Sequence, residues 1–304
     1  MQRRDAFPAA LAFLLAAHPA AAAAPKVAAS IAPLAGIAAA VLGEDGPPAL
    51  LLPSDRSPHR GALQASQTRV LADADVVLWI GPDLERGIGA ALDAMPPTWV
   101  AEHTLRAEAA QGMRHRPLRR FAGDAEPAEG RTGGDDPHLW LDPGNAAAIA
   151  RALAERLAIL EPPRAAVYRA NAERFAGSMT ALEADLAESL APVRGRRFVV
   201  FHDAYRYFET AFGLEAVAAL ADEPGEPIGG RRLAEVRARA EADGAVCVFA
   251  DAQAPEGAVT GIARDLGLKP GVLDPLGAGL EPGVDSYAIL LKRLAEAFRG
   301  CLAR

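Results

Sequence analysis

The sequence predicts an α/β protein of two lobes, each built on a parallel-type sheet, bridged by one long helix and enclosing a histidine-bearing cleft. Two observations predict this. Short apolar runs bounded by Pro or Gly alternate with helical stretches along the whole chain, the pattern of parallel strands covered by helices. Near the middle, one helical stretch, 163–190, would extend about 42 Å, enough to join two lobes. With 304 residues, 51% of them hydrophobic, the chain can bury both cores without further support.

The elements follow in order. Arg3 and Arg4, an apolar run over 7–17 and the alanines of 20–24 make residues 1–24 a cleavable secretory signal peptide, too short in its apolar part to span a bilayer. No cysteine stands near the cleavage region to carry a lipid, so the expected location is the periplasm. Residues 26–29 read as a strand, with Ser30 capping a helix over 33–42 that stops at Gly43. Strands at 49–52 and 76–80 flank a helix near 62–71. Residues 106–136, rich in Arg, Gly, Glu and Pro, read as a mobile surface loop.

Asp142-Pro143 then opens a helix with Ile149, Leu153 and Leu157 on one face. The long helix follows, with Phe175, Met179, Leu182, Leu186 and Leu190 at helical spacing. Beyond it the alternation resumes: strand 198–201, a helix, strand 216–220, helix 231–242, strand 246–250, a helix, strand 272–273 and a last helix over 287–302. The expected division is a first lobe over 25–162, a linking helix over 163–192 and a second lobe over 193–304.

Composition excludes several functions. The net charge of −7 becomes −8 without residues 1–24, with 30 basic against 38 acidic residues, which argues against nucleic-acid binding. The three lysines, Lys26, Lys269 and Lys292, lie in no Gly-rich phosphate loop. Cys247 and Cys301 are the only cysteines; in an exported chain they read as one disulfide closing a loop of 54 residues, in preference to two free thiols.

Of the six histidines, His59, His138 and His202 stand where ligands sit in open α/β sheets, beyond a strand or at a Pro-containing turn. Asp274, after Val272-Leu273, is a fourth candidate, and three imidazoles with a carboxylate suit Zn²⁺. Taken singly, each histidine reads as readily as a cap or core residue. Separations of 79 and 64 residues cannot by themselves show that they meet.

The segments Ser57-Pro58-His59, Asp136-Pro137-His138-Leu139-Trp140-Leu141, Phe201-His202-Asp203-Ala204-Tyr205 and Leu273-Asp274-Pro275-Leu276-Gly277 resemble the metal-site signatures of periplasmic metal-binding proteins that serve ABC importers. Cys247-Val248-Phe249-Ala250 with Cys301 is similar to the disulfide of the zinc-specific ZnuA type. The resemblance covers nearly the whole mature chain. It implies a zinc-capture protein, monomeric and without enzymatic activity, that delivers Zn²⁺ to a membrane permease. It further implies His59, His138 and His202 as ligands, with Asp274 or water in the fourth place.

Two departures stand out. Relatives of the zinc type carry a His-rich acidic loop before the second ligand, whereas 106–135 holds only His115 as a weak auxiliary candidate. Pro58 replaces the acidic residue that precedes the first histidine in some members. The alternatives are a manganese or iron carrier of the same family, or an exported zinc hydrolase. The hydrolase reading lacks a His-Glu-x-x-His helix and a Gly-x-Ser-x-Gly elbow.

Overall fold

The computed structural model describes residues 24–121, 134–221, 228–252 and 257–303. The proposed signal peptide lies outside them apart from Ala24. Strand β1 (Val27–Ala29) leads into α1 (Ala32–Leu42), followed by β2 (Ala49–Leu50), α2 (Ala65–Ala72), β3 (Val76–Trp79), α3 (Arg86–Asp93), α4 (Pro97–His103) and β4 (Thr104–Arg106). Helices α5 (Pro143–Leu160) and α6 (Ala165–Leu190) connect to β5 (Arg197–His202), α7 (Arg206–Phe212), β6 (Glu215–Ala221), α8 (Gly230–Asp243), β7 (Cys247–Asp251), α9 (Ala258–Leu266), β8 (Lys269–Leu273) and α10 (Ser286–Leu302).

The strands form two parallel sheets of the same topology, β2-β1-β3-β4 and β6-β5-β7-β8. In each, the chain steps outward from its first strand in both directions, which leaves a crevice beyond the strand ends where the order switches. The period of two decides which side chains go where. Val27, Ala29, Val76 and Leu78 of the first sheet, with Phe198, Val200, Cys247 and Phe249 of the second, enter one shared core. Their neighbours face outward: Ala28, Val77 and Trp79 pack under α2 and α3, and Val199, Phe201, Val248 and Ala250 under α8 and α9.

The shared core is filled by α1, α5, α6 and α10. Long helix α6 packs along α5 and reaches α1 and α10, burying Phe175, Met179, Leu182, Leu186 and Leu190 on the face that the spacing predicted. It starts two residues later than expected, because Pro162–Arg164 form a 3-10 turn before it. Cys247, at the start of β7, is bonded to Cys301 on α10, with Cα atoms 6.2 Å apart. Among the described residues no helix is long and apolar enough to cross a membrane.

Further local expectations change. Ser30 does not cap α1: the capping position is Ile31 and carries no side-chain bond, while Ser30 lies fully buried next to the Glu85 carboxyl. The described parts of 106–136 are anchored. Ala107 is buried, Arg114 donates to Asp142 at 3.2 Å, and the amide of Asp136 donates to the Arg116 carbonyl at 2.7 Å. Its polar composition reflects ion pairs made with distant residues, which a local pattern cannot reveal.

Candidate metal centre

Each of the three histidines is carried by a different element. His59 lies in the segment between β2 and α2, its amide donating to Ser57 Oγ at 3.3 Å. His138 immediately precedes the 3-10 turn Leu139–Leu141, which runs into α5 through the cap Asp142, whose carboxylate accepts from Gly144 N at 2.7 Å. Asp136 holds His138 twice, accepting from its amide at 2.9 Å and facing its Nδ1 at 2.8 Å. The turn is tied across the cleft, since Trp140 Nε1 donates to the Pro275 carbonyl and the Tyr287 hydroxyl to the Trp140 carbonyl. His202 is the last residue of β5, at the switch point of the second sheet.

These placements bring the three side chains together. Ring centroids lie 5.2 Å (His59 to His138), 5.1 Å (His59 to His202) and 4.9 Å (His138 to His202) apart. The Nε2 atoms of His59 and His138 are 3.1 Å apart, and one ring nitrogen from each of the three falls within 4.8 Å of the others. Ligands about 2.0–2.1 Å from a tetrahedral Zn²⁺ stand a little over 3 Å from one another, so this set needs only small adjustments to hold one ion. All three are buried, at 7% exposure or less, around a cavity of about 10 Å³, room for a single ion or water.

Burial makes His202 a neutral donor. It pushes the His202 pKa well below 6.5, and the nearby His138 and His59 push it further, so this imidazole keeps a free lone pair. Asp251, the last residue of the adjacent β7, lines the same cavity, and burial raises its pKa to about 6 against the lowering effect of the Tyr205 hydrogen bond. Its Oδ1 accepts from Tyr205 at 2.7 Å. Its Oδ2 stands 3.7 Å from His202 Nδ1, and these two buried atoms have no hydrogen-bond partner among the described residues. A small rotation would let Asp251 orient His202 as Asp136 orients His138, the arrangement that fixes the tautomer of a metal-binding imidazole.

The remaining sequence candidates stand outside this three-histidine cluster. Asp274 is not grouped with the histidines; its carboxylate accepts from the amides of Leu276, Gly277 and Ala278 at 3.0, 2.9 and 2.5 Å, folding the loop that follows β8. His115 pairs with Asp135 at 3.1 Å on the surface, also apart from the three. Asp136 and Asp251 were missed by reading the sequence. The first stood two residues before a candidate ligand, and the second at the C-terminal end of a strand, where open α/β sheets place their sites.

A family model described as ZnuA, the periplasmic component A of a zinc-uptake complex, matches residues 27–301. The chain belongs to the ZnuA family. A relative named high-affinity zinc uptake system protein ZnuA, from Paracoccus denitrificans, is 34% identical over 94% of each chain. A crystal structure of ZnuA superposes with a TM-score of 0.75 at 25% identity, covering 92% of this chain and 99% of the other. A ZnuA deletion mutant with zinc bound gives a TM-score of 0.74 at 25% identity over the same shares. ZnuA proteins thus share with this chain both the two-lobed architecture and nearly its full length.

Proposed function

We propose that this ZnuA-family chain captures Zn²⁺ in the periplasm, after removal of residues 1–24, and delivers it as a monomer to the permease of an ABC-type importer. The reading is carried by one observation, the convergence of His59, His138 and His202 as buried nitrogen donors between the lobes. The zinc named in its ZnuA relatives supports it. The protein's part is capture and release, with no bond-making chemistry.

In this reading the three imidazoles take three corners of a tetrahedron and solvent the fourth, with Asp274 remaining the acceptor of its loop amides. A donor set of three imidazoles favours zinc over the harder manganese ion, which takes more carboxylates. Each ligand must be deprotonated to bind, so affinity falls as the pH drops and protons compete for the ring nitrogens.

The test is competitive zinc titration of the mature, chelator-stripped chain beside His59→Ala, His138→Ala and His202→Ala. One tight zinc site per chain, weakened in all three variants and resistant to excess Mn²⁺, is the expected result. Displacement by Mn²⁺ would transfer the reading to a manganese carrier, and tight binding that survives any two of the substitutions would dissolve the ligand assignment.

A further inference from the structure

Segment 114–121 leaves the first lobe and crosses to the second. At its root, the Arg114 amide donates to Asn145 Oδ1 at 2.8 Å, and its guanidinium reaches Asp142 at the start of α5. Across the cleft, the Arg116 amide donates to the Tyr207 hydroxyl at 3.0 Å. Arg119 then inserts its guanidinium between two carboxylates of the second lobe. Its Nε donates to Asp203 Oδ2 at 2.9 Å, a second nitrogen donates to Asp203 Oδ1, and both terminal nitrogens donate to Glu209, at 2.6 and 2.8 Å. Asp203 directly follows His202, and Glu209 lies on α7. Arg119 is only 14% exposed and stacks on Phe121, its charge centre 4.6 Å from the ring centroid.

The returning arm is paired to this one. Leu118 N donates to the Gly134 carbonyl, Asp136 N to the Arg116 carbonyl, and Pro117 bridges antiparallel to Asp135. Two residues later the chain reaches His138. The ribbon is therefore fixed at one place to the neighbour of His202 and at another to the partner of His138. A planar fork satisfied by two carboxylates is geometrically demanding, which a lone lysine charge could not reproduce.

We propose that Arg119 is a positioning residue for metal retention: by gripping Asp203 and Glu209 it latches the second lobe's His202 against His59 and His138 and sets how fast zinc leaves. This rests on the zinc-capture reading. Arg119 touches no metal ligand side chain in the structure; it acts through the backbone of Asp203 and the ribbon. Release to a permease then requires this fork to open.

The test loads the mature full chain with one equivalent of zinc and follows release into excess chelator by stopped flow, for the unaltered protein, Arg119→Ala, Arg119→Lys and Glu209→Gln. Arg151→Ala, which removes an exposed pair with Glu173 on the helical surface, is the control. Loss of a group hydrogen-bonded to a metal ligand weakens metal sites about 10- to 100-fold, and Arg119 stands one step further out, so Arg119→Ala should release zinc up to about tenfold faster. Arg119→Lys should fall between it and the unaltered chain, and Arg151→Ala should stay within about twofold. Release from Arg119→Ala within about twofold of the unaltered rate, with or without a lower melting temperature of the zinc-free protein, overturns the latch and leaves an ordinary structural ion pair. If Arg119→Ala does not fold, Glu209→Gln decides by the same criterion, its amide oxygen remaining able to accept from Ala216 N as Glu209 does at 3.0 Å. A chain with no zinc site at all would overturn the capture reading itself, whereas a normal site with unchanged release overturns the latch alone.

Discussion

Removal of the disulfide should cost stability and leave zinc affinity intact. The bond joins residues 54 apart in sequence, and in the chain-entropy model a closed loop of that size is worth about 4 kcal/mol. For a chain of this size each kcal/mol moves the melting temperature by about 2–4 °C, so the loss should be about 8–16 °C. The site should not feel it. Cys247 opens β7 and Asp251 closes it, and at about 3.3 Å per residue the two ends are about 13 Å apart. The assay is a Cys247→Ala/Cys301→Ala double variant, melted with and without zinc and titrated by chelator competition; alanine avoids burying a hydroxyl where Cys247 is fully buried. A melting temperature lowered by less than about 3 °C would refute the entropy argument. A zinc affinity weakened more than about tenfold would refute the separation of the disulfide from the site.

Glu85 gives a pH-dependent prediction. Burial raises its pKa from 4.5 to about 7, against the nearby Ser30 hydroxyl and the backbone hydrogen bonds from Gly81 and Ile80, so between those values the folded chain holds a proton that the unfolded chain has lost. Its contribution to stability is full below pH 4.5 and is lost as the pH rises through about 7, about 3 kcal/mol in all. Glu85→Gln should therefore stabilise the chain at pH 8 and do little at pH 4.5, as read by urea unfolding at both; a difference independent of pH would count against this origin. Asp251→Asn should weaken zinc binding about 10- to 100-fold by removing the carboxylate that a small rotation would bring to His202 Nδ1, and unaltered affinity in the same titration would remove Asp251 from the centre. Asp274→Ala leaves three loop amides without their acceptor and should cost about 1–3 kcal/mol in unfolding experiments while weakening zinc less than any single histidine variant. His115→Ala should leave the tight site within about twofold, and a larger change would make the 106–135 segment part of it.

The alternation that predicted the fold was legible because strand and helix periods are local properties of the chain. Even so, strand β8 is five residues long where two were expected, since Pro270 and Gly271 interrupt its apolar pattern. It tolerates the proline as an edge strand of its sheet. The stretch 86–105 yielded no expectation, although helices α3 and α4 and strand β4, which ends at the first residue of the expected loop, complete the first sheet. Of the site, the three histidines could be singled out by position after strands and turns, but their meeting depends on the packing of both sheets onto α6. Arg119 was illegible for the same reason: its partners lie 84 and 90 residues away, and one arginine among several in a polar segment reads as solvated surface.

The buried interior that runs without a break from β1 and β3 through α6 to β5 and β7 has a consequence for how the molecule fails. Neither half owns a complete interior, so neither can unravel while the other stays native, and heating should produce one cooperative transition for the entire chain. Any ion held between the halves then protects every residue that only global unfolding exposes, in both sheets at once. Proteases sampling the envelope space would find those buried sites easier to cut in an empty carrier than in a loaded one, so that starvation for metal shortens the lifetime of the whole molecule.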